Sequence, residues 1–304
     1  MKLIKTTIVV GFILLAGFKL YEGEVRAVWN EIPWMFAKGP KLEATAAVLL
    51  DAETGELMYS VNGDTPLPPA SMSKMMTEYI VLEHIGSQKL SWNEKVKISP
   101  RAAGVVGAKV PLRAGDRVSV KDLFAAVAVD SANDAAVALA ERVAGSEEAF
   151  AALMNEKAKS LGLSKHTHYI NATGLSRTDM GSNPPEGIRG EQQMTAADTA
   201  KLASRLIQDY PDILSFTDKP SYRLAYQKKT VVNTNEMLRA EENQVLGFEG
   251  LDGLKTGFTD EAGYCFTGTA VRDGKRLISV VMGTSTSNKR FEETKILLSY
   301  GFKD

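Results

Sequence analysis

Cysteine is almost missing from this chain of 304 residues: Cys265 is the only one, so no disulfide can close within the chain and no cysteine-rich zinc site can be built. It sits in an apolar, strand-like run where a small buried thiol is expected. Histidine is scarce too, with three copies; His166 and His168 fall in a polar stretch, where lone imidazoles are more often surface groups than metal ligands. No metal or cofactor is expected. No charge of one sign prevails: 36 Lys and Arg against 37 Asp and Glu give a net charge of -1, which removes the electrostatic footprint of a nucleic-acid binder. Internal repeats and low-complexity segments are also lacking. What remains, 44% hydrophobic and 24% charged residues, is the balance of a globular chain with a sizeable core.

A run long enough to cross a bilayer is missing at the N-terminus as well. Residues 6–18, behind Lys2 and Lys5, would reach roughly 20 Å as a helix against a hydrocarbon core of about 30 Å. Residues 1–27 therefore read as a secretory signal, with Val25-Arg26-Ala27 as a small-residue cleavage site, or as a retained N-terminal anchor. Phe18 stands where a lipoprotein signal after Leu15-Ala16-Gly17 needs a cysteine, which excludes lipidation there. Residues 28–43 read as a linker; Trp29 and Trp34 suit either a membrane interface or packing on the folded domain.

From residue 44 onward the chain alternates between sheet and helix. Two apolar runs around the turn Asp51-Ala52-Glu53-Thr54-Gly55 predict a β-hairpin. Prolines 66, 68 and 69 then lead to Ser71, and Met75, Met76, Tyr79, Ile80 and Leu82 give the following helix an apolar side. The middle third is nearly all helical, and Ser119 is placed to cap the helix that carries residues 123–129. A polar loop is expected over residues 171–193, a hairpin over 221–232, strands over 251–257, 264–271 and 277–282, and a closing helix over 291–300. Such a helical block between β segments suggests a helical lobe inserted into an α/β lobe, with a cleft between them.

Ser71 and Lys74 are three residues apart at a helix start and so share a face. A serine hydroxyl is a poor nucleophile until a base activates it, and a lysine is that base only where burial or positive charge holds it neutral. Ser-x-x-Lys is common, and Ser71 as a plain helix cap is the alternative. Two more short motifs follow in order, Ser131-Ala132-Asn133 and Lys255-Thr256-Gly257. Attack on an amide carbonyl creates an oxyanion and then a leaving amine, so a site must stabilise the first and protonate the second. Ser131 can relay a proton from Lys74, and Asn133 offers an amide to fix a peptide carbonyl and hold Lys74 in line. Lys255 supplies positive charge for a carboxylate and depresses the pKa of Lys74 by repulsion. Thr256 adds a hydroxyl donor, and Gly257 lets a substrate backbone approach the strand edge. Ser91-Trp92-Asn93 also fits Ser-x-Asn, but it lies in a polar turn, so Ser131 is preferred.

The trio Ser-x-x-Lys, Ser-x-Asn and Lys-Thr-Gly marks penicillin-binding proteins and serine β-lactamases. The chain resembles the low-molecular-mass penicillin-binding proteins, the serine-type D-alanyl-D-alanine carboxypeptidases. Residues 67–77, Asn171-Ala172-Thr173-Gly174-Leu175, residues 251–257 and Ala262-Gly263-Tyr264 carry the resemblance in order and spacing. It implies an α+β, β-lactamase/transpeptidase-like fold over residues 44–304, an antiparallel sheet flanked by helices with an inserted helical lobe. It also implies removal of the terminal D-alanine from peptidoglycan stem peptides and covalent inhibition by β-lactams. Carried over, Ser71 forms the acyl-enzyme, Lys74 accepts its proton, Ser131 is the third active-site residue and Lys255 binds the substrate carboxylate. The backbone N–H groups of Ser71 and Phe258 would form the oxyanion hole. Arg290 stands where the family often has an arginine near that carboxylate, with an exposed helix charge as the alternative.

Ser73 replaces a common threonine, and Phe258 is bulkier and less polar than the usual residue, which bears on substrate preference. Many relatives continue into a β-rich second domain and a C-terminal membrane helix, whereas this sequence ends at Asp304. The resemblance therefore assigns any membrane attachment to residues 1–27, and an exported enzyme acting on the cell-wall side of the cytoplasmic membrane is expected. A serine β-lactamase is the alternative enzyme, with Glu186 as the one residue to activate water; a non-catalytic sensor of β-lactams or muropeptides is the alternative from another class.

Overall fold

In a computed structural model the chain divides into two units, residues 1–39 and 40–304. The structure describes residues 39–180, 189–238 and 246–303. The expected signal or anchor at 1–27, most of the linker at 28–43 and Glu186 lie outside the described residues. No helix among the described residues is long and apolar enough to cross a membrane.

The predicted opening hairpin is β1, Ala46–Asp51, and β2, Leu57–Val61. The later strands are β3, Lys95–Lys97; β4, Arg117–Ser119; β5, Ser221–Arg223; β6, Thr230–Val232; β7, Leu251–Thr259; β8, Gly263–Arg272; and β9, Lys275–Thr284. Five of them form an antiparallel sheet in the order β2-β1-β9-β8-β7, so β7 is an edge. Alternation along the central strands feeds two apolar layers. Val48, Leu50, Val280 and Met282 face the larger core, and Leu49, Leu277 and Val281 face the smaller one.

The longer helices are α1, Lys74–Gly86; α2, Val120–Asp130; α3, Asn133–Ala144; α4, Glu147–Ser160; α5, Ala196–Asp209; and α6, Ser287–Phe302. Ser119 caps α2 as expected, its hydroxyl accepting from the Asp122 N–H at 3.1 Å. Helix α6 covers one face of the sheet through Phe291, Leu297 and Leu298. The other helices and the opposite sheet face share one continuous core, so the helical region and the sheet form one packed body rather than two separately cored lobes. Its centre is α1, where the expected amphipathic pattern gives way to burial on every side: all residues from Lys74 to Leu82 are buried. Each apolar side chain there contributes about 1.5–3 kcal/mol. The same burial places a lysine and a glutamate, Lys74 and Glu78, in the interior.

Candidate active site

Ser71 lies in a turn of 3-10 helix, Ala70–Ser73, just before α1 rather than in the first α-helical turn the sequence predicts. In a 3-10 turn residues three apart eclipse, which brings the serine over the lysine. Lys74 Nζ lies 2.7 Å from Ser71 Oγ and donates to the Thr173 carbonyl at 2.7 Å. Ser71 makes no cap: α1 has no side-chain cap hydrogen bond. Lys74 is fully buried, and burial holds its pKa well below the ordinary value; the positive charge of Lys255 pushes the same way, against Glu78, Asp134 and Glu147.

Sequence reasoning passed over Thr173, because a backbone carbonyl carries no residue-type signal; the block 171–175 was the available clue. Residues 171–174 form a buried wall against Ser71 and Lys74, not an open polar loop. Asn171 builds the wall by accepting from the N–H of Thr173 at 2.9 Å, the N–H of Gly174 at 2.7 Å and the Thr173 hydroxyl at 2.9 Å. Gly174 has φ +89°, and a Cβ there would stand 1.9 Å from the Ala70 carbonyl oxygen, so only glycine lets this wall seat against the serine turn.

Ser131 closes α2 in the left-handed conformation, φ 60° and ψ 28°, and its buried hydroxyl has no hydrogen-bond partner. It makes no bond to Lys74, so a relay between them requires substrate or water. Asn133 Nδ2 donates to the Val106 carbonyl at 2.7 Å while its Oδ1 is unpartnered. That amide therefore holds the loop before residue 109 and does not grip Lys74. The other match, Ser91-Trp92-Asn93, sits in a turn whose tryptophan packs on Phe124 and Phe216. His168 has a ring nitrogen 2.7 Å from the Arg189 carbonyl.

Strand β7 delivers the last motif. Lys255 is buried, with Nζ 3.3 Å from the Thr256 carbonyl and a pKa lowered by burial to about 8. The Thr256 hydroxyl lies 2.6 Å from that of Thr234, whose N–H donates to the Val129 carbonyl at 3.1 Å, so the end of α2 is tied to β7. A Cβ on Gly257 would meet the Pro69 oxygen at 2.9 Å and Ala70 Cβ at 3.3 Å. Its glycine is thus required for the serine turn to lie on the strand, a constraint separate from substrate approach. Phe258 is exposed and packs on Tyr264 with ring centroids 4.3 Å apart.

Arg290 is buried, which overturns the reading of an exposed helix charge. It donates to the Gly257 carbonyl at 3.3 Å and to the Ser287 hydroxyl at 3.1 Å, and lies over the Tyr264 and Phe291 rings. Cys265 is buried, and burial raises its thiol pKa to about 11, as an inert core residue requires.

The family model of D-alanyl-D-alanine carboxypeptidases, Peptidase S11, matches residues 34–286, and the chain belongs to this family. It is 37% identical over 265 residues to D-alanyl-D-alanine carboxypeptidase DacF of Bacillus subtilis, covering 86% of this chain and 62% of that protein. The chain thus spans less than two thirds of that relative's length. Among solved structures it resembles penicillin-binding protein D2 of Listeria monocytogenes in the ampicillin-bound form, at 38% identity and a TM-score of 0.75, covering 88% of this chain and all of that one. It also resembles a peptidoglycan synthesis regulatory factor (PBP3) of Streptococcus pneumoniae, at 34% identity and a TM-score of 0.80, covering 86% and 74% respectively. The α+β fold expected from the sequence is the fold of these penicillin-binding proteins.

Proposed function

We propose that this chain is a serine-type D-alanyl-D-alanine carboxypeptidase that trims the terminal D-alanine from peptidoglycan stem peptides outside the cytoplasmic membrane. The observation that carries the reading is a fully buried lysine, held toward neutrality, 2.7 Å from a serine hydroxyl. A neutral Lys74 gives one hydrogen to the Thr173 carbonyl, which aims its lone pair at Ser71. Ser71 Oγ attacks the carbonyl carbon of the D-Ala-D-Ala bond, and its proton passes to Lys74. The oxyanion is received by the N–H groups of Ser71 and Phe258. As the C–N bond breaks, the proton moves from Lys74 by way of Ser131 to the leaving amine, and D-alanine departs. Water, deprotonated by Lys74, then cleaves the ester and restores Ser71.

Lys255 holds the substrate carboxylate, with Thr256 as a second donor, and the open edge of β7 accepts the stem peptide as an added strand. Arg290 supports this from behind by binding the Gly257 carbonyl. A β-lactam would acylate Ser71 by the same attack. Residues 1–27, with Lys2 and Lys5 ahead of an apolar run, are proposed as an export signal or membrane anchor. The test is release of free D-alanine from diacetyl-Lys-D-Ala-D-Ala by the protein and by Ser71→Ala. Turnover abolished in the variant is the expected result; rapid penicillin hydrolysis without D-alanine release would make the protein a β-lactamase instead.

A further inference from the structure

Glu78 has no place in the chemistry above, yet it lies one helical turn beyond Lys74 in the stretch of α1 that is buried on every side. It is fully buried, and neither carboxylate oxygen has a hydrogen-bond partner. Other buried acids nearby are satisfied. Asp134 accepts from the N–H groups of Val110, Leu112 and Ala135. Glu147 accepts from the Arg101 guanidinium and the Ala172 N–H. An isolated buried carboxylate is costly unless opposite charge reaches it. The charges that act on Glu78 are Lys255, the stronger, and Lys74.

The two lysines have opposite duties. Lys74 must be neutral to accept a proton, whereas Lys255 must be charged to hold a carboxylate. Both are fully buried, so desolvation alone would neutralise both. Around Lys255, Glu78 and Asp130 favour the charged form and Arg290 opposes it, with Glu78 the largest of these charges. Around Lys74 the repulsion from Lys255 is larger than the opposing pull of any one of Glu78, Asp134 and Glu147. A carboxylate that sustains charge on Lys255 therefore also keeps the repulsion that leaves Lys74 neutral.

We propose that Glu78 is the buried counter-charge of Lys255, a positioning residue that keeps this lysine charged for the substrate carboxylate and thereby leaves Lys74 free to act as the base. The inference rests on the carboxypeptidase reading for the duties of the two lysines. Its test is a pH titration of the lysine 13Cε resonances, with Lys255 assigned by its own substitution, beside the pH dependence of kcat/KM for diacetyl-Lys-D-Ala-D-Ala. Both are measured on the full chain and on Glu78→Gln and Glu78→Met. The amide keeps the shape; the thioether suits an apolar interior should the amide disturb folding.

In either variant the Lys255 titration and the alkaline limb of kcat/KM are expected to move to lower pH by about one unit, tenfold in proton concentration. At pH values between the old and new limbs KM rises while kcat holds. Glu78→Asp is expected to restore part of the shift. A Lys255 titration at the same pH in all variants overturns the proposal, whatever happens to overall rate. Should the wild-type protein release no D-alanine, the lysine titrations still decide the role of Glu78, and only the assigned substrate falls.

Discussion

Two sites on strand β7, one near its start and one at its middle, hold charge in opposite ways. At Asp252 the carboxylate and the Arg276 guanidinium form two parallel bonds of 2.8 and 2.7 Å, and Arg276 also donates to the Thr269 hydroxyl at 2.7 Å. Three residues along, Lys255 is more deeply buried and has one long bond to a carbonyl, beside a second buried lysine and a carboxyl with no partner. A fork-like pair satisfies both partners and pins the strand. In the proposed function, the lysine stays short of partners because a substrate carboxylate and a travelling proton complete it. On one strand, satisfied charge marks structure and unsatisfied charge marks chemistry.

The largest effect is expected where the buried lysines meet Ser71. Lys74→Ala is expected to slow acylation of Ser71 by a fluorescent penicillin by about 10³-fold or more, the scale of a lost general base. Its unfolding midpoint in urea should not fall in proportion, since a buried amine is removed with the base. Gly174→Ala should come next, because its methyl group would strike the Ala70 carbonyl and its φ of +89° is strained for alanine. Acylation is expected to drop about 10²-fold as the Thr173 carbonyl shifts off Lys74, with a stability loss of about 2–3 kcal/mol in the same denaturation series.

A pH series sharpens the contrast. Burial raises the Glu78 carboxyl from an ordinary 4.5 to about 7. A raised folded-state pKa gives stability that is fully present below the unfolded value and lost as pH rises through the folded one. Wild-type protein should therefore lose on the order of 3 kcal/mol relative to Glu78→Met between pH 4.5 and just above 7, read by urea unfolding at each pH. The smallest effect belongs to the paired site: Asp252→Asn should cost about 1–3 kcal/mol and leave kcat/KM within about twofold. A large loss of activity there would erase the distinction between the paired and the unpaired site.

Much of this arrangement is legible in the sequence because the chemistry uses side chains at short spacings. Ser71 with Lys74, Ser131, and Lys255 with Thr256 and Gly257 can all be picked out, as can the hairpins and the long helices. What escapes is whatever depends on backbone or on neighbours distant in sequence. The Thr173 carbonyl is an atom every residue has. The one-turn helix Pro100–Gly104 is too short to show a period. Helix α1 looks one-sided from the spacing of Met75, Met76, Tyr79, Ile80 and Leu82, although tertiary packing buries Thr77 and Glu78 as well. Gly257 signals a close approach in the sequence, but only the fold shows that the approaching chain is the serine turn itself.

Ala70 and Ser131 both hold the left-handed backbone, at φ 48° and 60°, one beside Ser71 and the other carrying the hydroxyl proposed as the relay. Glycine would adopt that conformation at a cost lower by about 1 kcal/mol. At 131, however, glycine deletes the hydroxyl. A laboratory selection for heat resistance alone would thus favour Ser131→Gly and enrich folded proteins that no longer turn over substrate. Any directed evolution of this scaffold must score reaction and survival on the same clone.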